Sequence, residues 1–166
     1  LFRSTMKNLI LVRHAKSSWE TPLKDRDRPL SKNGLQAAHL VSSYVSKYLP
    51  KTYLLWTSVA ERASQTALIF AQNLSYPIES IIYKEDLYTF DENQLTKVIK
   101  SCKNEFDSVI LFGHNGAITN FVNKFGDVFI ENVPTSGFVS LQFDVDDWSA
   151  IEKGKTLKVI VPKDLK

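Results

Sequence analysis

The sequence predicts a three-layer α/β/α domain, in which helices cover both faces of a mostly parallel central sheet and an antiparallel hairpin forms one sheet edge. Short apolar runs with few or no interior charges recur through residue 112, as in strands buried on both faces. Segments of helical periodicity separate these runs, and such alternation is typical of parallel sheets. The C-terminal part instead alternates apolar and polar residues, which indicates antiparallel strands.

The predicted strands follow from these two patterns. The parallel strands are placed at residues 8–12, 52–56, 80–83 and 108–112. The edge hairpin is predicted to pair residues 137–145 with residues 156–162.

The first two predicted helices follow the first two strands. Ser31 is a plausible N-cap for the first helix, whose apolar face comprises Ala38, Val41, Val45 and Tyr48. Ser58 and Glu61 have the spacing of a capping box, which predicts the start of the second helix. The apolar face of this second helix comprises Ala60, Ala63, Ala67, Phe70 and Leu74.

Two more helices complete the alternation. The third is indicated by apolar positions at Leu95, Val98, Ile99 and Cys102, which makes Cys102 a core residue. The fourth is predicted to run from an N-cap at Asn115 to a stop at Gly126.

Length and composition favour one soluble domain. A chain of 166 residues can bury a substantial core without disulfides, so we expect a single domain over residues 6–166. Residues 1–5 precede the only methionine and are interpreted as an expression remnant or an upstream extension. No apolar run approaches the ~20 residues that span a bilayer, and the lone cysteine favours a reducing compartment. We therefore expect a cytoplasmic monomer with no membrane partner.

The mild positive charge favours a local anion site over a nucleic-acid surface. The formal net charge is +3, and the lysines and arginines are spread along the chain. A nucleic-acid binder would use aromatic residues such as Trp19 and Tyr88 for stacking on bases. We expect no nucleic-acid partner, and place Trp19 at a pocket rim or beneath its loop and Tyr88 in core or boundary packing.

Cationic and imidazole side chains follow three of the predicted strands. Arg13 and His14 come directly after the first, Arg62 opens the helix after the second, and His114 and Asn115 follow the fourth. Ligands of open parallel sheets bind at the carboxyl ends of strands, where helix N-termini add backbone donors. Since arginines suit phosphate or carboxylate, the pattern predicts an oxyanion pocket.

Each of these features alone has an ordinary structural explanation. An arginine and histidine after a strand are more often a surface loop, "GHNG" is compatible with a tight turn, and Arg62 could pair with Glu61. Their coincidence at successive strand ends favours a site. Metal ligation is disfavoured because the chain has no H-x-x-x-H or Cys/His ligand spacing. His39, in the first helix, is interpreted as a surface or boundary residue.

Four motifs together resemble a known family. "LVRHAKSSW" at 11–19, "DRPLSKNG" at 27–34, "TSVAERASQTA" at 57–67 and "FGHNGAI" at 112–118 occur in its order. They resemble the histidine phosphatase (phosphoglycerate mutase-like) superfamily, specifically its short SixA-like phosphohistidine phosphatase branch. The resemblance runs from about Met6 to Val145.

The resemblance implies roles for individual residues. His14 matches the nucleophile that is transiently phosphorylated, Arg13 and Arg62 match arginines that clamp the phosphoryl group, and His114 matches the second histidine at that group. Arg28 matches an arginine close to the pocket. Further phosphate- or substrate-binding candidates are Ser17 and Asn115. The implied chemistry requires no metal and no organic cofactor.

The chemistry also places demands on the nucleophile. Attack requires a neutral imidazole on His14, and neighbouring guanidinium groups disfavour the protonated form. A backbone carbonyl that accepts from the other ring nitrogen would set the tautomer, although the sequence does not identify it.

The chain departs from the mutase branch of the family. Ala15 stands where mutases have glycine, Glu20 stands where they have asparagine, and the long insertion carrying their general acid is missing. Glu85 or Asp86 could act as general acid, or either could be a solvated charge. An open pocket and a labile P–N bond favour phosphohistidine in a protein as substrate. The alternatives are a phosphatase for small phosphate esters and a non-catalytic module that binds phosphorylated ligands.

Overall fold

The computed structural model describes residues 6–166, so the predicted remnant at residues 1–5 lies outside the described part. The chain alternates strands and helices in the predicted order. The elements are β1 (Met6–Arg13), α1 (Lys32–Tyr44), β2 (Leu54–Ser58), α2 (Glu61–Asn73), β3 (Ile82–Lys84), α3 (Glu92–Lys100), β4 (Ser108–Gly113), α4 (Ala117–Phe125), β5 (Phe138–Asp144) and β6 (Lys155–Ile160).

The strands form a six-stranded sheet in the order β3-β2-β4-β1-β5-β6. Strands β1 to β4 pair in parallel, whereas β5 pairs antiparallel with both β1 and β6. The predicted mostly parallel sheet with an antiparallel edge pair is confirmed.

The sheet separates two apolar cores. Along β1, Leu9 and Leu11 face one core, which is completed by α3 and α4. Ile10 and Val12 face the other, which is completed by α1 and α2. This alternation follows from the two-residue period of a strand, and it produces the predicted three layers.

The helix ends agree only in part with the predictions. Ser31 is confirmed as the N-cap of α1, since its side chain accepts a hydrogen bond from Gly34 N. The predicted capping box of α2 is wrong: its N-cap is Ala60, and Ser58 is still the last residue of β2. The N-cap of α4 is Gly116 rather than Asn115.

The third strand also differs from its prediction. It runs from Ile82 to Lys84, later than the predicted residues 80–83, and it is not buried on both faces. Ile82 is 38% and Tyr83 53% exposed because β3 is the outermost strand and pairs only with β2. By contrast, Cys102 is buried as predicted. Within residues 6–166, no helix is long and apolar enough to span a membrane.

Candidate functional site

The strand order brings the two predicted histidines together. β1 lies beside β4, and their register pairs Arg13 with Gly113. His14 and His114, which directly follow these two strands, therefore lie side by side at the carboxyl ends of the parallel strands. Their ring centroids are 5.2 Å apart. Because β2 flanks β4 on its other side, the helix that follows β2 places Arg62 at this edge as well.

His14 is held in one orientation by its backbone surroundings. Its Nδ1 lies 2.7 Å from the carbonyl oxygen of Ala15, which can only accept, so Nδ1 carries the hydrogen. The backbone N–H of Ala15 in turn donates to Thr66 Oγ1 of α2 at 2.9 Å. In the neutral ring Nε2 is therefore unprotonated, and Arg62 Nε donates to it at 3.4 Å.

The environment keeps the His14 ring neutral. Its pKa is lowered to about 4, first by burial and then by the charges of Arg62, Arg13 and Arg28, against the opposing effect of the hydrogen bond to Ala15. Burial is thus a larger cause than the arginines, on which the sequence-based reasoning relied. His14 Nε2 therefore carries no proton across the physiological pH range.

His114 is buried in an aromatic setting at the same edge. It is 1% exposed, and Nε2 lies 2.8 Å from Ser58 Oγ, so the serine interpreted as a helix cap instead orients this ring. Phe90 and Tyr88 pack around it with ring centroids 5.3 and 5.2 Å away. Burial, followed by the proximity of His14, lowers the pKa of His114 to about 3.

Asp25 is a site residue that the sequence reasoning missed. It lies on a short 3-10 turn between β1 and α1, and its carboxylate joins two arginines. Arg62 Nη2 donates to Asp25 Oδ2 at 3.0 Å and Nη1 to its backbone oxygen at 2.7 Å, while Arg28 Nη2 donates to Oδ1 at 3.0 Å. Only its position within "DRDRP", between cationic residues, could have pointed to it.

Tyr88 completes this network. Its hydroxyl donates to Asp25, and this hydrogen bond is the largest of the causes that lower the pKa of the Asp25 carboxyl to about 2. Arg62 lowers this pKa further, whereas partial burial of the carboxyl raises it. Asp25 is therefore an anion that fixes the guanidinium groups and not a proton donor. The expected boundary position of Tyr88 holds, but its hydroxyl belongs to the site.

Arg28 and Arg13 each have a further contact that positions the side chain. Arg28 is 7% exposed, and its guanidinium carbon lies 3.5 Å from the ring centroid of Trp19. Arg13 Nη1 donates to the backbone oxygen of Val133 at 3.0 Å. Five buried side-chain atoms near the site have no hydrogen-bond partner among residues 6–166: Arg13 Nε, Arg28 Nε, Arg28 Nη1, His114 Nδ1 and Ser136 Oγ.

A cleft of about 310 Å³ opens over His14. Its lining residues are Arg13, His14, Lys16, Ser17, Trp19, Asp25, Arg28, Arg62, Phe90, Asn115 and Thr135. Four cationic side chains thus face one carboxylate, which gives the cleft a positive charge. The rim residues Trp19 and Phe90 are 77% and 54% exposed, so residues 6–166 leave this side of the cleft uncovered.

The structure brings most of the predicted site residues together. Ser17 lines the cleft, and so does Asn115, although its side chain is already hydrogen-bonded to Asn132 and Thr119. Asn115 therefore links the cleft to the loop before β5. The exposed position of His39, outside the cleft, agrees with its interpretation as a surface residue.

The two acid candidates lie elsewhere. Glu85 is exposed and forms a two-pronged ion pair with Arg26, which lowers the pKa of its carboxyl. Asp86 is exposed, and neither residue lines the cleft. The described residues contain no group of three or more His, Cys, Asp or Glu side chains arranged to hold a metal ion.

Comparison with known proteins finds a family model that matches part of the chain and solved structures with the same fold. The model of the histidine phosphatase superfamily (branch 1) matches residues 9–88. Among solved structures, the protein histidine phosphatase SixA complexed with tungstate is similar over 96% of this chain and 99% of its own, with TM-score 0.80 and 21% identity. SixA from Agrobacterium tumefaciens is similar over 97% of this chain and 100% of its own, with TM-score 0.76 and 22% identity.

Proteins with similar sequences match either most of the chain or a shorter part of it. The uncharacterized protein Rv1276c of Mycobacterium tuberculosis is 26% identical over 153 residues, which cover 86% of this chain and 93% of that protein. An uncharacterized chloroplastic protein of Arabidopsis thaliana, At3g52155, is 44% identical over 66 residues, 38% of this chain and 29% of that protein. The resemblance to the histidine phosphatase superfamily is confirmed: residues 9–88 match its branch 1, and the described chain has the fold of the SixA structures.

Proposed function

We propose that this protein is a phosphatase that removes the phosphoryl group from phosphohistidine in another protein, through a covalent phosphohistidine on its own His14. One observation carries the proposal. The hydrogen bond from His14 Nδ1 to the Ala15 oxygen leaves Nε2 as the unprotonated nitrogen, which accepts a hydrogen bond from Arg62 Nε at 3.4 Å at the base of a cationic cleft. A binding module would need neither a fixed tautomer nor a nucleophile.

The arginines supply the phosphoryl site. Phosphoryl transfer depends on positioning and on stabilising charge at the equatorial oxygens, and guanidinium groups do both. Arg62 Nε lies beside the attacking nitrogen, while Arg13 and Arg28 have buried N–H groups without partners in the described chain. His114 lies across from His14 and contacts the phosphoryl group during transfer.

The reaction has two displacement steps. His14 Nε2 attacks phosphorus, the bond from phosphorus to the substrate nitrogen breaks, and that nitrogen takes a proton from solvent. Water then attacks the phosphorus on His14, the new P–N bond breaks, and phosphate leaves with the neutral imidazole restored. A neutral histidine at the start is what the lowered pKa of His14 provides.

Three observations support a protein-bound phosphohistidine as the substrate. The cleft is open at Trp19 and Phe90, so a phosphorylated side chain on a protein surface can enter. Glu85 and Asp86 lie outside the cleft, and a P–N bond depends less on a strong acid than an alkyl ester does. The similar solved structures include those of SixA, one of them named a protein histidine phosphatase and bound to tungstate, a tetrahedral oxyanion.

The covalent mechanism is tested by single-turnover labelling. With a radiolabelled phosphohistidine protein, we expect the enzyme to acquire acid-labile, base-stable phosphate, and the His14→Ala variant to acquire none. Arg62→Ala should lower kcat/KM by about 10²-fold or more, as loss of a transition-state donor does. Lys16→Ala should cost far less, because the Lys16 side chain is exposed. Equal losses would refute the assignment of Arg62.

The substrate class is tested separately. Turnover of several phosphohistidine proteins is compared with that of a panel of sugar and nucleotide phosphates. We expect preference for the phosphohistidine proteins. Strong preference for one small ester would replace this substrate with a small metabolite at the same site.

A further inference from the structure

A second and larger cavity adjoins the proposed catalytic cleft. It measures about 930 Å³, and it shares two lining residues, Lys16 and Thr135, with the cleft that contains His14. A third lining residue, Asn132, is hydrogen-bonded to Asn115 of the cleft. The two depressions are therefore continuous at the surface. We call the larger one the basic groove.

The topology explains why the groove lies at this edge. β6 runs antiparallel to β5, and Ile160 at its end pairs with Phe138 at the start of β5. Phe138 in turn pairs with Val12, two residues before His14. The segment after β6 therefore returns to the edge that carries the cleft, where it forms one wall of the groove opposite α1.

The lining of the groove combines cations with apolar surface. Lys16, Lys163 and Lys166 contribute three ammonium groups, and no aspartate or glutamate from residues 6–166 lines it. These three lysines take part in none of the ion pairs within the described chain. Leu40 of α1 and Pro162 add apolar surface to the lining.

We propose that the basic groove binds an acidic segment of the phosphorylated protein, next to the phosphohistidine that enters the cleft. The inference rests on the proposed function and specifies its substrate. Charge complementarity decides the occupant: three lysines without acidic partners attract carboxylates, while the apolar wall accepts an aliphatic side chain between them. Because the groove and the cleft share Lys16 and Thr135, one continuous segment can occupy both.

The test uses two phosphohistidine peptides of equal length, one with Asp and Glu beside the phosphohistidine and one with Asn and Gln at the same positions. Free phosphohistidine serves as a third substrate that reaches only the cleft. The groove variant is Lys163→Glu/Lys166→Glu. The control variant, Lys103→Glu/Lys153→Glu, makes the same change in net charge on two exposed lysines. They precede β4 and β6 and so lie at the opposite end of the strands from the cleft.

For the wild-type protein we expect a KM about tenfold lower for the acidic peptide than for the neutral one, as a few partly exposed ion pairs provide. The groove variant should lose this preference, the control variant should keep it, and free phosphohistidine should be turned over equally by all three. Added salt should reduce the wild-type preference.

Three outcomes overturn the inference in distinguishable ways. If the wild-type protein turns over none of the three substrates, the proposed function fails and the groove assignment fails with it. If it turns over both peptides with the same KM, only the groove assignment fails. If the groove and control variants lose the preference equally, the overall charge of the protein and not the groove selects the substrate.

Discussion

The buried histidines of the site should make the folded protein sensitive to acid. In the unfolded chain a histidine has a pKa near 6.5, whereas the pKa values of His14 and His114 in the fold are about 4 and about 3. Below pH 6.5 the unfolded state therefore binds protons that the folded state does not. Stability is fully present above that pH and falls as the pH decreases towards the folded pKa values.

The size of the effect follows from these pKa values. At pH 5 the linkage costs about 2 kcal/mol for His14 and about 2 kcal/mol for His114, or about 4 kcal/mol together. Domains of this size have total stabilities of about 5–15 kcal/mol, so the loss is a large part of the whole. Both rings are at least nine-tenths buried, so solvent screening reduces the figure little.

The assay is urea unfolding at pH 7.5 and at pH 5, followed by circular dichroism in a phosphate-free buffer of constant ionic strength, since bound phosphate would itself stabilise the fold. The variant His14→Gln should lose about 2 kcal/mol less between these pH values than the wild-type protein. His39→Gln, which removes an exposed imidazole, should behave as the wild-type protein does. If His14→Gln lost as much stability between pH 7.5 and pH 5 as the wild-type protein does, the conclusion that this ring is buried in neutral form would be refuted.

Two further predictions concern residues that support the site. Gly34→Ala should destabilise the fold by about 1–3 kcal/mol in the same assay, because the new Cβ would lie 2.1 Å from the Lys16 oxygen. This is opposite in sign to the usual effect of alanine in a helix, and Gly113→Ala, whose Cβ would meet its nearest neighbour at 3.7 Å, should cost much less. Asp25→Asn should lower kcat about tenfold, because the charged bonds that orient Arg62 are weakened. Asp27→Asn, on the same turn, is the matched control. If both variants lowered kcat equally, Asp25 would have no specific role in the site.

The site residues that the sequence predicts are those that follow the predicted strands. Arg13 and His14 directly follow one apolar run, and His114 follows another after Gly113, so their placement at the carboxyl ends of the strands required only the recognition of parallel strands. Ser58 shows the opposite case. Its spacing to Glu61 matched a capping box, yet β2 extends through Ser58 and the hydroxyl bonds to His114. A local pattern was outweighed by a contact with a residue far along the chain.

Asp25 and Tyr88 could not be assigned from local sequence. They lie 63 positions apart, and the sequence around each is that of an ordinary surface turn. Only the fold brings both side chains into contact with Arg62. The exposed edge strand β3 was mispredicted for a related reason. The run "SIIY" is as apolar as the central strands, and only the strand order puts it at the edge.

The sequence by itself determined the α/β alternation, the mostly parallel sheet and, to within one residue, the ends of β1 and β4, because the periodicity of apolar residues is visible in a short stretch of chain whatever packs against it. The tertiary structure decided which strands are adjacent, which carbonyl sets the His14 tautomer, and that burial more than charge lowers its pKa. Those properties depend on distances between segments far apart in the chain, and only the folded packing of the sheet edge sets such distances.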